Sequence, residues 1–247
     1  MTPLVRSLGW QGLCAAIALG LLLSLGFWQL QRREWKEALI ARVETNMRSA
    51  PVELPNRDQW AVLTSEDYDY RHVRVRGQFD FAKVALVFAQ APPGAGQEPG
   101  YLVLTPLRLE GGGEALVNRG FVAQSRVGRG AWRSEPAGQL EFSALMRAPQ
   151  ARNLFTPADD PAKGQWYTAD PAKIAAALGM AEAAPFLLQQ DPGTPYSLSQ
   201  PEGLLRTPLD APEIPNNHLS YALTWFALAG ALAVIFSIYA RDRLKPP

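Results

Sequence analysis

The sequence has one cysteine and two histidines among its 247 residues. A single cysteine excludes a framework of intrachain disulfides, so stability must come from packing. Two histidines leave no histidine-rich metal set, and we find no glycine-rich phosphate loop and no nucleophile paired with a base. An enzyme is therefore the weakest class of function, although catalytic residues that converge only in space would escape this search. The net charge of +1 gives no basic patch to bind nucleic acid.

Long apolar runs, in contrast, lie near both ends of the chain. Trp10 to Trp28 and Leu219 to Ala240 are almost free of polar residues. Each run is about 20 residues long, which as a helix matches a hydrocarbon layer of about 30 Å. The first run is too long for a signal peptide, and no small-x-small cleavage pattern follows it. We therefore predict transmembrane helices at 8–29 and 218–240 and a single domain at 30–216.

The orientation follows from the basic residues that flank the second span. Arg241, Arg243 and Lys245 come directly after it, which predicts a cytoplasmic C-terminus. Arg32 and Arg33 after the first span favour the opposite orientation, but acidic residues dilute them and long domains translocate largely regardless of charge. We expect both termini in the cytoplasm and the domain on the other side of the membrane.

Between the spans, the periodicity predicts mostly strands with a few helices. The first helix is expected to continue to about Met47, a short helix is expected over Arg57 to Tyr68, and another begins at Asp170 and ends at Gly179. Predicted strands lie around 70–77, 84–89, 101–109, 115–122, 140–146 and 186–190, with Pro106 favouring an edge or bulged strand. This pattern predicts an α+β fold with a mainly antiparallel, barrel-like sheet. The proline-rich segment 191–215 is expected to be an extended lead-in to the second span.

Five motifs, in order along the chain, resemble one known family. They are Gly26–Arg33 (GFWQLQRR), Tyr70–Phe79 (YRHVRVRGQF), Leu116–Val122 (LVNRGFV), Phe155–Pro157 with Trp166 and Tyr167, and Asn217–Phe226 (NHLSYALTWF). The chain resembles the Surfeit locus assembly factors of cytochrome c oxidase, and specifically a bacterial member. Both apolar spans lie where that family has them.

The resemblance implies a role in maturing the haem–copper oxidase. Bacterial members are thought to receive haem a from its synthase and to help deliver it to oxidase subunit I. The implied partners are subunit I, haem a synthase, membrane lipid and a further copy of the chain, in a bacterial inner membrane. A scaffold that stabilises subunit I without holding haem is the alternative function.

The resemblance also singles out His218, at the start of the second span, as a ligand of the haem iron. Helical spacing puts His218, Ala222, Trp225 and Ala229 on one face, with Tyr221 beside it. Small alanines would admit a flat macrocycle, and Trp225 could stack on it. The alternative is a histidine and an aromatic belt at the membrane interface, without a ligand.

The remaining candidates have structural explanations. His72 is expected to be a solvated strand residue, and Asp159 and Asp160 to form a turn. Arg119 could pair with a haem propionate or with a carboxylate of the fold. A stripe of small residues suggests close packing of the two spans, with Gly20 at the closest approach, or packing with a partner span. It comprises Gly12, Ala16 and Gly20 in the first span and Ala222, Phe226 and Gly230 in the second.

Overall fold

The computed structural model describes residues 3–92, 96–128, 138–191, 204–205 and 215–244. They form two compact units, one from Met1–Arg42 with Pro212–Pro247 and the other from Val43–Ala211. The domain boundary predicted at residue 30 falls inside the first helix. Most of segment 191–215, predicted to be extended, lies outside the described residues.

Two long helices make up the first unit. Helix α1 runs over Pro3–Arg48 without a break, as the predicted continuation to Met47 required, and the last helix, α5, runs over His218–Leu244. Both are long and apolar enough to cross a membrane. Large apolar side chains on their outer faces are exposed, which suits lipid far better than water; they include Leu13, Ile17, Leu21, Leu228 and Ile235.

The second unit is built around a closed sheet. Its strands, in chain order, are β1 Val52–Glu53, β2 His72–Phe79, β3 Ala85–Ala89, β4 Gly100–Leu109, β5 Glu114–Ala123, β6 Leu140–Arg147, β7 Ala183–Gln190 and β8 Leu204–Leu205. Strands β2, β6, β7, β5 and β4 pair in a ring that closes because β4 also pairs with β2. Only β5 and β7 run parallel within the ring. The predicted α+β fold with a mainly antiparallel, barrel-like sheet is confirmed.

Strand β2 shows how the sequence closes the barrel. Val73, Val75 and Phe79 are buried, while Arg74 and Arg76 point outward and pair with carboxylates of neighbouring strands. Gly77 pairs with β6 on one side and with β4 on the other. A Cβ at Gly77 would collide with the backbone carbonyl of Arg108, so only glycine lets β4 approach closely enough to complete the ring.

In the described part of the chain, three short α-helices lie between the strands: α2 at Ser65–Tyr68, α3 at Gln124–Val127 and α4 at Pro171–Leu178. Helix α4 is capped as predicted, because the Asp170 side chain accepts hydrogen bonds from the backbone N–H groups of Ala172 and Lys173. Gly179 ends the helix with a φ of 66°. Local chemistry alone therefore fixes both of its ends.

The prediction of a single helix over Arg57 to Tyr68 was wrong. The structure has a 3₁₀ helix at Arg57–Val62 and then a new start at α2. The break occurs at Thr64, whose backbone N–H and hydroxyl both donate to the Asp67 carboxylate and so cap the second helix.

Of the two expectations for the strand that holds Pro106, the edge strand was wrong, since β4 is interior, whereas β4 does contain an irregularity. Pairing with β3 ends at Leu104 and pairing with β2 begins at Leu107. Pro106 lies between these two paired stretches, so no strand hydrogen bond requires the N–H that proline lacks. Its carbonyl accepts a hydrogen bond from the Asp80 N–H. The irregularity in the β4–β5 ladder lies at Leu102 to Leu104 instead.

Phe186 on β7 anchors the larger of the barrel's apolar clusters. It is fully buried, and its ring centroid lies 5.7 Å from that of Trp60 and 5.6 Å from that of Tyr68. We expect Phe186→Ala to lower the free energy of unfolding by about 3–5 kcal/mol, because a large cavity replaces the ring. The effect is measured by chemical denaturation, with near-ultraviolet circular dichroism as the readout. Phe155→Ala is the control, since Phe155 is 94% exposed and should cost under about 0.5 kcal/mol. Equal losses in the two variants would contradict this core.

Candidate functional site between the two long helices

His218 is the first residue of α5 and makes a polar contact with α1. Its Nδ1 atom lies 2.7 Å from Oε1 of Gln29, and both side chains are half-buried. The backbone carbonyl of Asn217 accepts from the Tyr221 N–H at 3.3 Å and so opens the helix. The predicted ligand therefore lies at a helix end, held by a side chain 189 positions earlier in the chain.

The predicted helix face is confirmed, and α1 covers it. Ala222 is fully buried, Ala229 is 2% exposed, and Trp225 is half-buried with them. Tyr221 lies off this face and is 57% exposed. Haem contact by His218, Tyr221, Ala222 and Trp225 stays a prediction.

Gly26 of α1 is buried against α5. A Cβ there would lie 2.5 Å from the Phe226 ring, which also meets Phe27 edge-on at a centroid distance of 5.4 Å. A second contact zone lies farther along the pair, where the Tyr239 hydroxyl donates to Oε1 of Gln11 at 2.8 Å. The pair is thus joined by close packing near the candidate ligand and by one hydrogen bond in each zone.

The small-residue stripe coincides with the contact between the helices only in part: Ala222 is buried and Phe226 packs on Gly26, but Gly20 is not at the contact. Packing of the exposed part of the stripe against a partner span stays a prediction. Ala16, Gly20 and Gly230 are exposed, and no described atom beyond its own turn of helix lies within 4 Å of a Cβ built on Gly20. Only Gly12 of the predicted α1 stripe meets α5, at 3.6 Å from Phe236. Gly26 escaped the pattern because large leucines occupy the positions four residues before and after it.

His72 proves to be mostly buried, contrary to the prediction of a solvated residue. Its side chain is 17% exposed, and Nε2 lies 3.4 Å from the Asp191 carboxylate. Arg119 is also inside the barrel unit, with its guanidinium 4.8 Å from the ring centroid of Phe81. Both side chains therefore belong to the interior of the fold.

Asp159 and Asp160 organise a loop, as predicted. Asp159 accepts from the backbone N–H groups of Tyr167 and Thr168 and from the Thr168 hydroxyl. Burial raises its pKa, but these hydrogen bonds and the charge of Arg152 outweigh that effect and hold the pKa below its ordinary value. Among the described residues, no three His, Cys, Asp or Glu side chains converge as a metal site.

A polar cluster around Arg147 was missed from the sequence. Its guanidinium donates to Asp69, Gln189 and the Tyr70 hydroxyl, and it stacks 4.1 Å from the Tyr70 ring centroid beside a cavity of about 400 Å³. Tyr70 adopts a φ of 63°, the one non-glycine residue with positive φ in the described part of the chain. Burial raises the pKa of the Tyr70 hydroxyl, so it stays neutral and accepts from Arg147. The members come from three separate segments, which is why no local pattern indicated them.

Two candidate membrane helices that flank a small closed barrel along the sequence are typical of a membrane protein with one globular domain. The sequence model of the SURF1 family matches residues 16–230, and the chain therefore belongs to that family. It is 30% identical over 227 residues to Surfeit locus protein 1 of Xenopus tropicalis, covering 86% of this chain and 70% of the relative. The SURF1-like protein of Drosophila melanogaster is 31% identical over 234 residues, with coverage of 86% and 71%. Surfeit locus protein 1 of Arabidopsis thaliana is 24% identical over 295 residues, covering 98% and 80%.

Proposed function

We propose that this protein assists the assembly of cytochrome c oxidase by binding haem a through His218 and helping its delivery to subunit I. The oxidase role comes from the family to which the chain belongs. The single observation that supports haem binding is the imidazole of His218, held by Gln29 at the end of a pair of apolar helices. An imidazole nitrogen is a common axial ligand of haem iron.

The imidazole of His218 is a suitable donor for haem iron, but the alanine face of α5, on which the macrocycle was expected to pack, is already covered. Ala222 and Ala229 are buried in the helix pair, so a macrocycle cannot lie over them while the pair keeps this arrangement. The residue that would hold the iron is His218, whose ring is half-buried and so still reaches the surface of the pair. When bound, haem a is cargo with a redox-active iron, and the protein holds and orients it.

The scaffold is the second candidate, and the covered alanine face favours it. If the helices never separate, the protein could stabilise subunit I through protein contacts alone. An enzymatic role has the least support, because the family is one of assembly factors and not a known class of enzyme.

The proposal includes a location and a set of partners. We place the protein in a bacterial inner membrane. Basic residues after the second span support a cytoplasmic C-terminus, and with two spans the other terminus would also be cytoplasmic and the barrel domain periplasmic. Haem a synthase would supply the cargo and subunit I would receive it, while lipid surrounds the exposed apolar faces of both helices. A second copy of the chain is a further possible partner.

We expect the full-length protein, purified in detergent from cells that also express the haem synthases, to carry haem a. The measurement is an absorbance spectrum with the haem quantified against protein. Cells without haem a synthase provide the control, because their protein cannot have met haem a. Colourless protein from cells that make haem a would contradict the haem function and favour the scaffold.

A further inference from the structure

The contact between Gln29 and His218 constrains which ring nitrogen carries the proton. The atom of Gln29 that faces Nδ1, at 2.7 Å, is the amide oxygen, which can only accept a hydrogen bond. With the amide oxygen in this place, the contact is a hydrogen bond only if Nδ1 carries the hydrogen. In a neutral imidazole, this leaves the lone pair on Nε2.

The other nitrogen has no competing partner in the described part of the chain. There, the bond to Gln29 is the one hydrogen bond that the His218 ring makes. Metal-ligating histidines commonly donate their second ring N–H to a carbonyl or carboxylate, which fixes the tautomer and raises the basicity of the ligand. The Gln29 amide oxygen occupies the place of that acceptor.

We propose that Gln29 is a positioning residue that holds His218 in the Nδ1–H tautomer, with the Nε2 lone pair available to iron. This inference rests on the proposed haem function for its purpose, but the tautomer itself exists without haem. The half-buried side chain of Gln29, which lies inside α1, thus gains a role beyond joining two helices.

The chain offers a matched control for the structural explanation. Gln11 also accepts a hydrogen bond across the same helix pair, from the Tyr239 hydroxyl at 2.8 Å. Gln11→Leu and Gln29→Leu each remove one interhelical hydrogen bond by the same substitution. Only Gln29 contacts the proposed ligand, so only its loss should alter the properties of bound haem.

The first test reads the tautomer in full-length protein made without haem a synthase. Only two histidines are present, so labelling histidine with nitrogen-15 gives two ring systems, and His218→Ala identifies the signals of His72. We expect a protonated Nδ1 and an unprotonated Nε2 for His218. A proton on Nε2 would overturn the proposal. Because no haem is present, this result is independent of whether the proposed haem function is correct.

The second test compares haem affinity and reduction potential across variants. We expect Gln29→Leu to weaken haem binding about 10–100-fold, the usual effect of losing such a partner, and Gln11→Leu to leave it unchanged. Gln29→Glu supplies a stronger acceptor and a more basic ligand, so the potential should rise in the order Glu, Gln, Leu at position 29. Equal losses in Gln29→Leu and Gln11→Leu, or the same potential in Gln29→Glu as in the wild type, would overturn the proposal. Full haem retention by His218→Ala would instead refute His218 as the iron ligand, and colourless wild-type protein would refute the haem function itself.

Discussion

Replacing His218 with alanine is expected to remove most of the haem a that co-purifies with the protein. The substitution deletes the proposed iron ligand itself, so the loss of affinity should exceed the about 10–100-fold typical for deleting a partner of a ligand. The helix should still form, because Ala is a strong helix former and the Asn217 carbonyl continues to accept from Tyr221. The measurement is the ratio of haem to protein in detergent-purified material, together with the position of the Soret band.

Two controls make this result specific. His72→Ala removes the other histidine, which lies in the barrel unit beside Asp191, and should leave the haem content unchanged. Membrane insertion and circular dichroism of His218→Ala should match the wild type. Oxidase activity in cells is expected to fall only in part, since haem insertion can proceed slowly unaided. A wild-type haem content and spectrum in His218→Ala would refute the ligand assignment.

The sequence was sufficient where structure depends on neighbouring residues. Helix α4 is an example, because Asp170, Pro171 and Gly179 act on backbone groups within a few positions of themselves. Strands β4 and β5 were predicted near 101–109 and 115–122 for the same reason, and the three glycines between them permit the tight reversal that joins the pair. The two long helices followed from the length and composition of the apolar runs alone.

The sequence was insufficient where distant segments meet. Closure of the barrel depends on pairing of Gly77 with Leu109, and nothing near either residue indicates that contact. His72 alternates with arginines, so period two predicted a solvated side chain, whereas Asp191 from another segment covers it. In each case the deciding partner is far away in the chain.

In the candidate site, too, the features that depend on neighbouring residues could be predicted, and the contact between distant segments could not. His218 and its helical face could be named from spacing and resemblance, because both depend only on the second span. Gln29 was visible only as part of a motif, and its contact with His218 depends on how two helices from opposite ends of the chain pack. The small-residue rule failed here because the close approach places one glycine against a phenylalanine ring, not glycine against glycine.

Gly26→Leu is expected to separate the helix pair, because its side chain would occupy the space of the Phe226 ring. Overpacking of this kind typically costs about 1–3 kcal/mol. Disulfide formation between Gln11→Cys and Tyr239→Cys, in a Cys14→Ser background, reports helix proximity at a second contact zone. We expect the disulfide yield to fall in Gly26→Leu.

Gly20→Leu provides the matched control, since Gly20 faces away from α5 and tolerates a larger side chain. Its disulfide yield should equal that of the parent protein, and adding Phe226→Ala to Gly26→Leu should restore part of the lost yield by making room. Haem content should follow the disulfide yield, because Gly26 lies three residues before Gln29 on the same helix. Equal yields in Gly26→Leu and Gly20→Leu would show that Gly26 does not set the approach of the helices. A lower yield in Gly20→Leu alone would instead restore the small-residue stripe as the packing face.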